Sequence, residues 1–137
     1  MSYTYSICYP DKAKIEYRTS IISSDEVLNI AKNYPWLEQL NLLEKLDGND
    51  VCFNPSLNFT STKDGKSFGL TANYSESKQL EFSLWYNRPK RVKVLFGLLG
   101  TKEKMDVGDV WHIDFETALK YLKHFLDGEF EIVELLF

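Results

Sequence analysis

The sequence predicts a single α+β domain over residues 1–137: a mainly antiparallel sheet of about six or seven strands with two or three helices packed on one face. Three observations carry that reading. Apolar and polar residues alternate with period two from residue 57 to residue 96, the mark of strands with one buried face. In two other stretches the spacing changes to that of a helix. The composition is that of one globular domain, at 44% hydrophobic and 26% charged, with no repeat, linker or low-complexity segment. Aromatics reach 15%, and large flat rings suit a pleated, half-buried surface.

The first element is a hairpin. Tyr3, Tyr5, Ile7 and Tyr9 alternate with Thr4, Ser6 and Cys8, and after Pro10-Asp11-Lys12 the set Ile15, Tyr17, Thr19 and Ile21 alternates with Lys14, Glu16, Arg18 and Ser20. Ser23 and Glu26 then offer a capping box, and Val27, Ile30, Ala31 and Tyr34 follow at helical spacing. Pro35 restricts Tyr34 and ends that helix, while a proline suits the first turn of the next, along which Trp36, Leu37, Leu40 and Leu43 recur. Asp64-Gly65 is a hairpin turn between Leu57–Ser61 and Phe68–Tyr74. Leu80, Phe82, Leu84 and Tyr86 form the next strand, and Asn87-Arg88-Pro89-Lys90 is read as a turn into Val92, Val94 and Phe96. The facing residues Thr71, Asn73, Glu81, Ser83 and Lys93 are polar, so one face of this sheet meets water. The chain closes with a strand over Val107–Ile113, a helix capped by Asp114 and striped by Phe115, Leu119, Leu122 and Leu126, and an apolar extended segment from Glu129 to Phe137. The expected core includes Tyr5, Tyr17, Phe59, Leu70, Phe82, Leu84, Val94, Leu119 and Leu122.

Candidate chemistry falls away on inspection. Gly97-Leu98-Leu99-Gly100-Thr101-Lys102 resembles a phosphate loop, but the two glycines are too close and Thr and Lys are in the wrong order. It reads instead as a glycine-hinged turn, and no cofactor is expected. His112 and His124 have neither ligand spacing nor a Cys neighbour, so no metal is expected. Cys8 and Cys52 stand alone and read as reduced thiols. A Cys–His pair assembled by the fold stays open, though it has no local signature. Asp106, Asp109 and Asp114 lack the spacing of a calcium loop, and Asp114 is better used as a helix cap. No catalytic constellation remains, and the chain is read as non-enzymatic. With no signal-peptide pattern and no apolar run of membrane-spanning length, a cytoplasmic protein is expected.

Charge and aromatics point toward binding. Net charge is −4, yet residues 101–137 carry 4 Lys/Arg against 9 Asp/Glu, a balance of −5, while residues 1–100 carry 12 against 11. The acidic end suits a basic partner. Asp114 is taken up as a cap, leaving Asp106, Asp109, Glu116, Asp127, Glu129 and Glu131 as partner-binding candidates. Trp85 shares a face with Glu81, Ser83 and Asn87, so it is either an exposed anchor or lies under a crossing segment. Arg88-Pro89-Lys90-Arg91-Val92-Lys93, beside Trp85 and Tyr86, leaves nucleic-acid binding as a lesser alternative. An apolar pocket between sheet and helices would favour a small-molecule or enzymatic domain instead.

The meander QLEFSLWYNRPKRVKVLFGLLG and the ending DVWHIDFETALKYLKHFLDGEFEIVELLF carry a resemblance of texture and architecture. With its Trp-His strand and leucine-aromatic helix, the chain looks like the small single-domain immunity proteins that accompany bacterial polymorphic toxins and contact-dependent or type VI effectors. That resemblance implies a cytoplasmic protein that neutralises one cognate toxin by tight binding, without catalysis. It transfers no functional residue.

Overall fold

The computed structural model describes residues 1–93 and 100–137, with residues 91–93, 101 and 102 described by their backbone alone. Six strands form one antiparallel sheet in the order β2-β1-β3-β4-β5-β6, where β1 is Ser2–Cys8, β2 Glu16–Ser23, β3 Ser56–Ser61, β4 Ser67–Tyr74, β5 Leu80–Lys93 and β6 Thr101–Ile113. Four helices complete the domain: α1 Ser24–Asn33, α2 Trp36–Lys45, α3 Phe115–Leu126 and the short α4 Phe130–Glu134. The α+β class, the antiparallel sheet and the helices along one face agree with the sequence reading, with one helix more than expected.

Local signals act where they stand. Ser23 Oγ accepts the Glu26 backbone N–H at 3.2 Å and starts α1. Asp114 Oδ1 accepts the Thr117 N–H at 2.7 Å and starts α3, and this bond holds the Asp114 carboxyl below its usual range. Gly65, at φ +74°, turns β3 into β4 in a conformation that side chains resist. Between the helices and the sheet lies one core. Phe82, fully buried, meets Trp36 edge-on at 5.0 Å and stacks on Phe115 at 5.4 Å. Phe125 joins Tyr3, Phe68 and Tyr86 at the other end of the sheet. The opposite sheet face, lined by Ser56, Asn58, Thr60, Thr71 and Asn73, has no helix upon it among the described residues.

Four expectations need correction. Tyr17 is 71% exposed and Ile21 is 67% exposed, so neither belongs to the core. Tyr3 pairs with Ile22 and Tyr5 with Arg18, an irregularity that absorbs two residues of β2 and keeps its even-numbered positions on the side of Tyr3 and Tyr5. Tyr17 thus lies opposite Ser6 on the uncovered face, and Ile22 packs against the core. Tyr5 and Leu119 are half-buried, Tyr5 stacking on Phe59 at 5.6 Å. Second, Asn87–Lys90 is no turn: β5 runs through it, with Pro89 opposite Met105. The last rung between β4 and β5 is Ser67 with Asn87, so Pro89 sits where β5 has a single neighbour and a missing donor is tolerated. Third, Glu129–Phe137 is not a strand. It contains α4, because Phe130, Val133 and Phe137 also fit a helical spacing, and Val133 is fully buried. Fourth, β6 begins at Thr101 and not near Val107. The expected core position Val94, and residues 97–99 of the glycine-hinged turn, lie outside the described residues.

Arg88 ties α4 to the sheet. Its Nε and Nη2 donate to the two carboxylate oxygens of Glu134 at 2.7 and 3.2 Å, and Nη1 donates to the Asp106 carbonyl and Oδ2 at 3.1 and 3.3 Å. The guanidinium also lies 5.4 Å from the Tyr86 ring centre. The hydrogen bonds to Glu134 raise the Arg88 pKa, and burial pushes the Tyr86 phenol up to about 12.

Candidate functional site

The uncovered sheet face carries a constellation built by one irregularity in the β5–β6 ladder. Phe82 pairs with Ile113 and Leu84 with Val110, so Trp111 and His112 together oppose the single residue Ser83. Both side chains are therefore delivered to the uncovered side. His112 takes φ 63°, a left-handed conformation that a residue with a Cβ adopts at a cost of about 1–2 kcal/mol.

Around this bulge several groups converge. Trp111, 51% exposed, meets Trp85 edge to face with ring centres 5.8 Å apart. Trp85 is half-buried, and its Nε1 donates to Thr71 Oγ1 at 3.1 Å, which ties the indole to β4. Trp111 Nε1 donates to Asp109 Oδ2 at 2.6 Å. Glu81, largely buried, accepts from Asn73 Nδ2 at 3.4 Å and bonds His112 Nδ1 at 2.9 Å, which leaves the imidazole well exposed. Val107 at 53% and Met105 at 42% exposure extend the apolar surface along β6 from Asp109.

The polar balance of this face is one-sided. Both indole N–H groups and the Asn73 amide N–H are spent on internal partners. Asn73 Oδ1, Asn87 Oδ1 and Ser83 Oγ are buried and have no hydrogen-bond partner among the described residues, with Ser83 only 1% exposed. Ser83 and Asn87 flank Trp85 two residues away on each side. Unfilled acceptor dipoles next to the Glu81 and Asp109 carboxylates make the face electronegative. Among the described residues, the lysines and arginines that lie over aromatic rings lie over tyrosine or phenylalanine, not over these indoles.

The residues singled out from sequence are divided between two surfaces. Trp85 and Asp109 are direct partners across β5 and β6 on the uncovered face. Asp106 is on the other side of the ladder, engaged by Arg88. Asp127 pairs with Lys123 at 2.7 Å and Glu129 with His124 at 3.1 Å, so these two are not idle charges. Glu116 stands in the first turn of α3 and Glu131 is exposed on α4. Alternation alone placed Trp85. Trp111, His112 and Glu81 were not read as one site with Trp85, because only the bulge brings them together and no local signal marks a bulge of this kind.

Elsewhere, an open groove of about 530 Å³ runs between α1 and α3, lined by Leu28 and Leu119 and by Asp25, Glu116 and the lysines Lys32, Lys120 and Lys123. A second hollow of about 500 Å³ lies where the β4–β5 turn meets Glu81 and His112. Strands β3, β4 and β5 separate Cys8 from His112, and the Cys52 segment is held to Pro10 by its N–H, so neither thiol approaches that imidazole. Gly100, at φ +82°, leads into a strand and not into a helix N-terminus. Among the described residues, no group of three or more His, Cys, Asp or Glu side chains is placed to hold a metal ion. No helix among them is long and apolar enough to cross a membrane.

These features define the chain as an α+β domain with an open antiparallel sheet, helices on one face and an aromatic, acceptor-rich site on the other. No protein-family model, curated protein or solved structure matches the chain.

Proposed function

We propose that this is a non-catalytic binding protein that captures a basic protein partner on its uncovered sheet face, acting in the cytoplasm as the immunity protein of a cognate bacterial toxin. The observation that carries the reading is the Trp85–Trp111 pair. Two indoles in contact, one of them half exposed, lie beside Asp109 with Val107 and Met105 alongside. Tryptophans of this kind are the usual anchors of protein interfaces, and their carboxylate neighbours steer a cationic partner. The −5 balance of residues 101–137 acts in the same direction at longer range. The alternative of nucleic-acid binding through residues 88–93 is weakened because Arg88 is engaged by Glu134 and Asp106. A small-molecule reading would rest on the α1–α3 groove, whose lining mixes Asp25 and Glu116 with three lysines and has no concentration of partnerless polar groups.

The test is protection. The protein is co-expressed with the toxin-like gene beside its own, and survivors are counted with and without Trp111→Ala. Protection by the native chain that falls at least tenfold with the variant supports the proposal. If no neighbouring product is toxic, or none binds this protein, the proposal is wrong.

A further inference from the structure

Resting on the reading above, we infer that the partner presents an extended basic segment that adds as a seventh strand along the outer edge of β6, with arginine or lysine side chains opposite Asp109 and Trp111. β6 ends the sheet, and over Leu80–Asn87 its inner edge is backed by a β5 that is itself paired to β4. A terminal strand carries a row of backbone groups with no strand beyond them, which is a template for another extended chain.

Side chains then settle what that chain carries. Residues opposite one another across a ladder lie about 4.5–5.5 Å apart on the same face. On the uncovered face β6 displays, in order, Met105, Val107, Asp109 and Trp111. A seventh strand therefore meets two apolar positions, then a carboxylate, then an exposed indole. Apolar side chains fit the first two. A cation fits the last two, by ion pairing with Asp109 and by lying over the Trp111 ring.

The carboxylates select the same chemistry. Asp109 and Glu81 are acceptors, and both indole N–H groups are already bonded internally. A guanidinium or ammonium brings donors alone. The other terminal strand, β2, offers Arg18 and exposed Tyr17 and Ile21, and it lacks both the tryptophan pair and the buried acceptors.

The probe is a nine-residue synthetic peptide in which threonine alternates with, counted from its C-terminus, valine, valine, arginine and arginine, the order that an antiparallel strand sets opposite Met105, Val107, Asp109 and Trp111. A control peptide has glutamate in place of both arginines. Titration into the native protein is followed by amide and indole NMR, at low salt and at 0.5 M salt. We expect saturable shifts at Trp111 and Trp85, slowed hydrogen exchange at alternate β6 amides, at least tenfold weaker binding for Asp109→Lys, and no saturation with the control peptide. High salt should weaken the arginine peptide severalfold. Met105→Glu is a second variant on the same exposed row and should weaken the valine contacts without touching the tryptophans.

Absence of saturable binding, or binding that leaves β6 exchange and the indoles unchanged, overturns the inference. The two proposals fail separately. A neighbouring toxin that the native chain neutralises equally well as Asp109→Lys and Met105→Glu removes the strand-addition inference and leaves the immunity reading standing. Peptide binding along β6 with no toxic neighbour does the reverse.

Discussion

Replacing Arg88 with alanine tests the joint between the C-terminal helix and the sheet. The Arg88 side chain is 11% exposed and makes a forked pair with Glu134 plus two bonds to Asp106. Charge-assisted hydrogen bonds contribute about 1.5–3 kcal/mol net, and the forked geometry belongs at the upper part of that range. Glu134 and Asp106 keep 44% and 48% of their side-chain surface in water, so each resolvates when the guanidinium goes and little orphan-charge penalty is added. Losing the buried aliphatic stem adds about 1 kcal/mol. The expected cost of Arg88→Ala is therefore about 3 kcal/mol, which lowers the urea midpoint by on the order of 1.5 M at an unchanged slope. Arg88→Met restores the stem and should keep only the loss of the hydrogen bonds, about 2 kcal/mol. Arg88→Lys keeps the stem and the charge without the fork and should cost less than Arg88→Met. Hydrogen exchange should also show α4 opening in Arg88→Ala before the sheet does. An Arg88→Ala cost under about 0.5 kcal/mol would refute the argument, since the cluster would then be no better than its hydrated parts.

Phe82→Ala should cost about 3–5 kcal/mol by thermal or urea unfolding, because the ring is fully buried between Trp36 and Phe115; a cost near 1 kcal/mol would mean that the core collapses into the space. His112→Gly should leave stability unchanged or raise it by up to about 1 kcal/mol by relieving the left-handed backbone, while His112→Val should destabilise clearly; equal effects would contradict the strained bulge. The Asp114 carboxyl is depressed by the Thr117 N–H, so its contribution is complete above the ordinary aspartate pKa of about 3.9 and fades as pH falls through the lower folded value. Asp114→Asn, which keeps an acceptor oxygen, should flatten the acid limb of the stability curve below about pH 4. Burial pushes the Cys8 thiol up, whereas Cys52 is exposed, so a thiol reagent at pH 8 should label one cysteine quickly and the other slowly; equal rates would contradict the placement of Cys8.

Much of the framework was legible because its causes are short-range. Ser23 and Asp114 sit one residue ahead of α1 and α3 and bond their first turns, as their sequence context required. Asp64-Gly65 turns β3 into β4 wherever those residues stand together, and alternation placed Phe59, Leu70, Phe82 and Leu84 in the core and Trp85 on the other face. Propensity, capping and periodicity are properties of a few neighbouring residues, so they survive without knowledge of the rest.

What only the tertiary structure decided depended on partners far away in the chain. The phase of β2 was settled by its register with β1, which set Ile22 opposite Tyr3 and Tyr17 opposite Ser6. Whether residues 129–137 became strand or helix turned on Val133 and Phe137 finding the core and on Arg88 receiving Glu134, since the apolar spacing served either. The continuity of β5 through Pro89 required β6 beside it and β4 already ended. The candidate site itself exists because one ladder carries two residues opposite Ser83, which puts Trp111 beside Trp85 and His112 beside Glu81. A one-residue slip between strands costs nothing locally and moves side chains to the opposite face, so register has to be decided by the packing of the whole sheet.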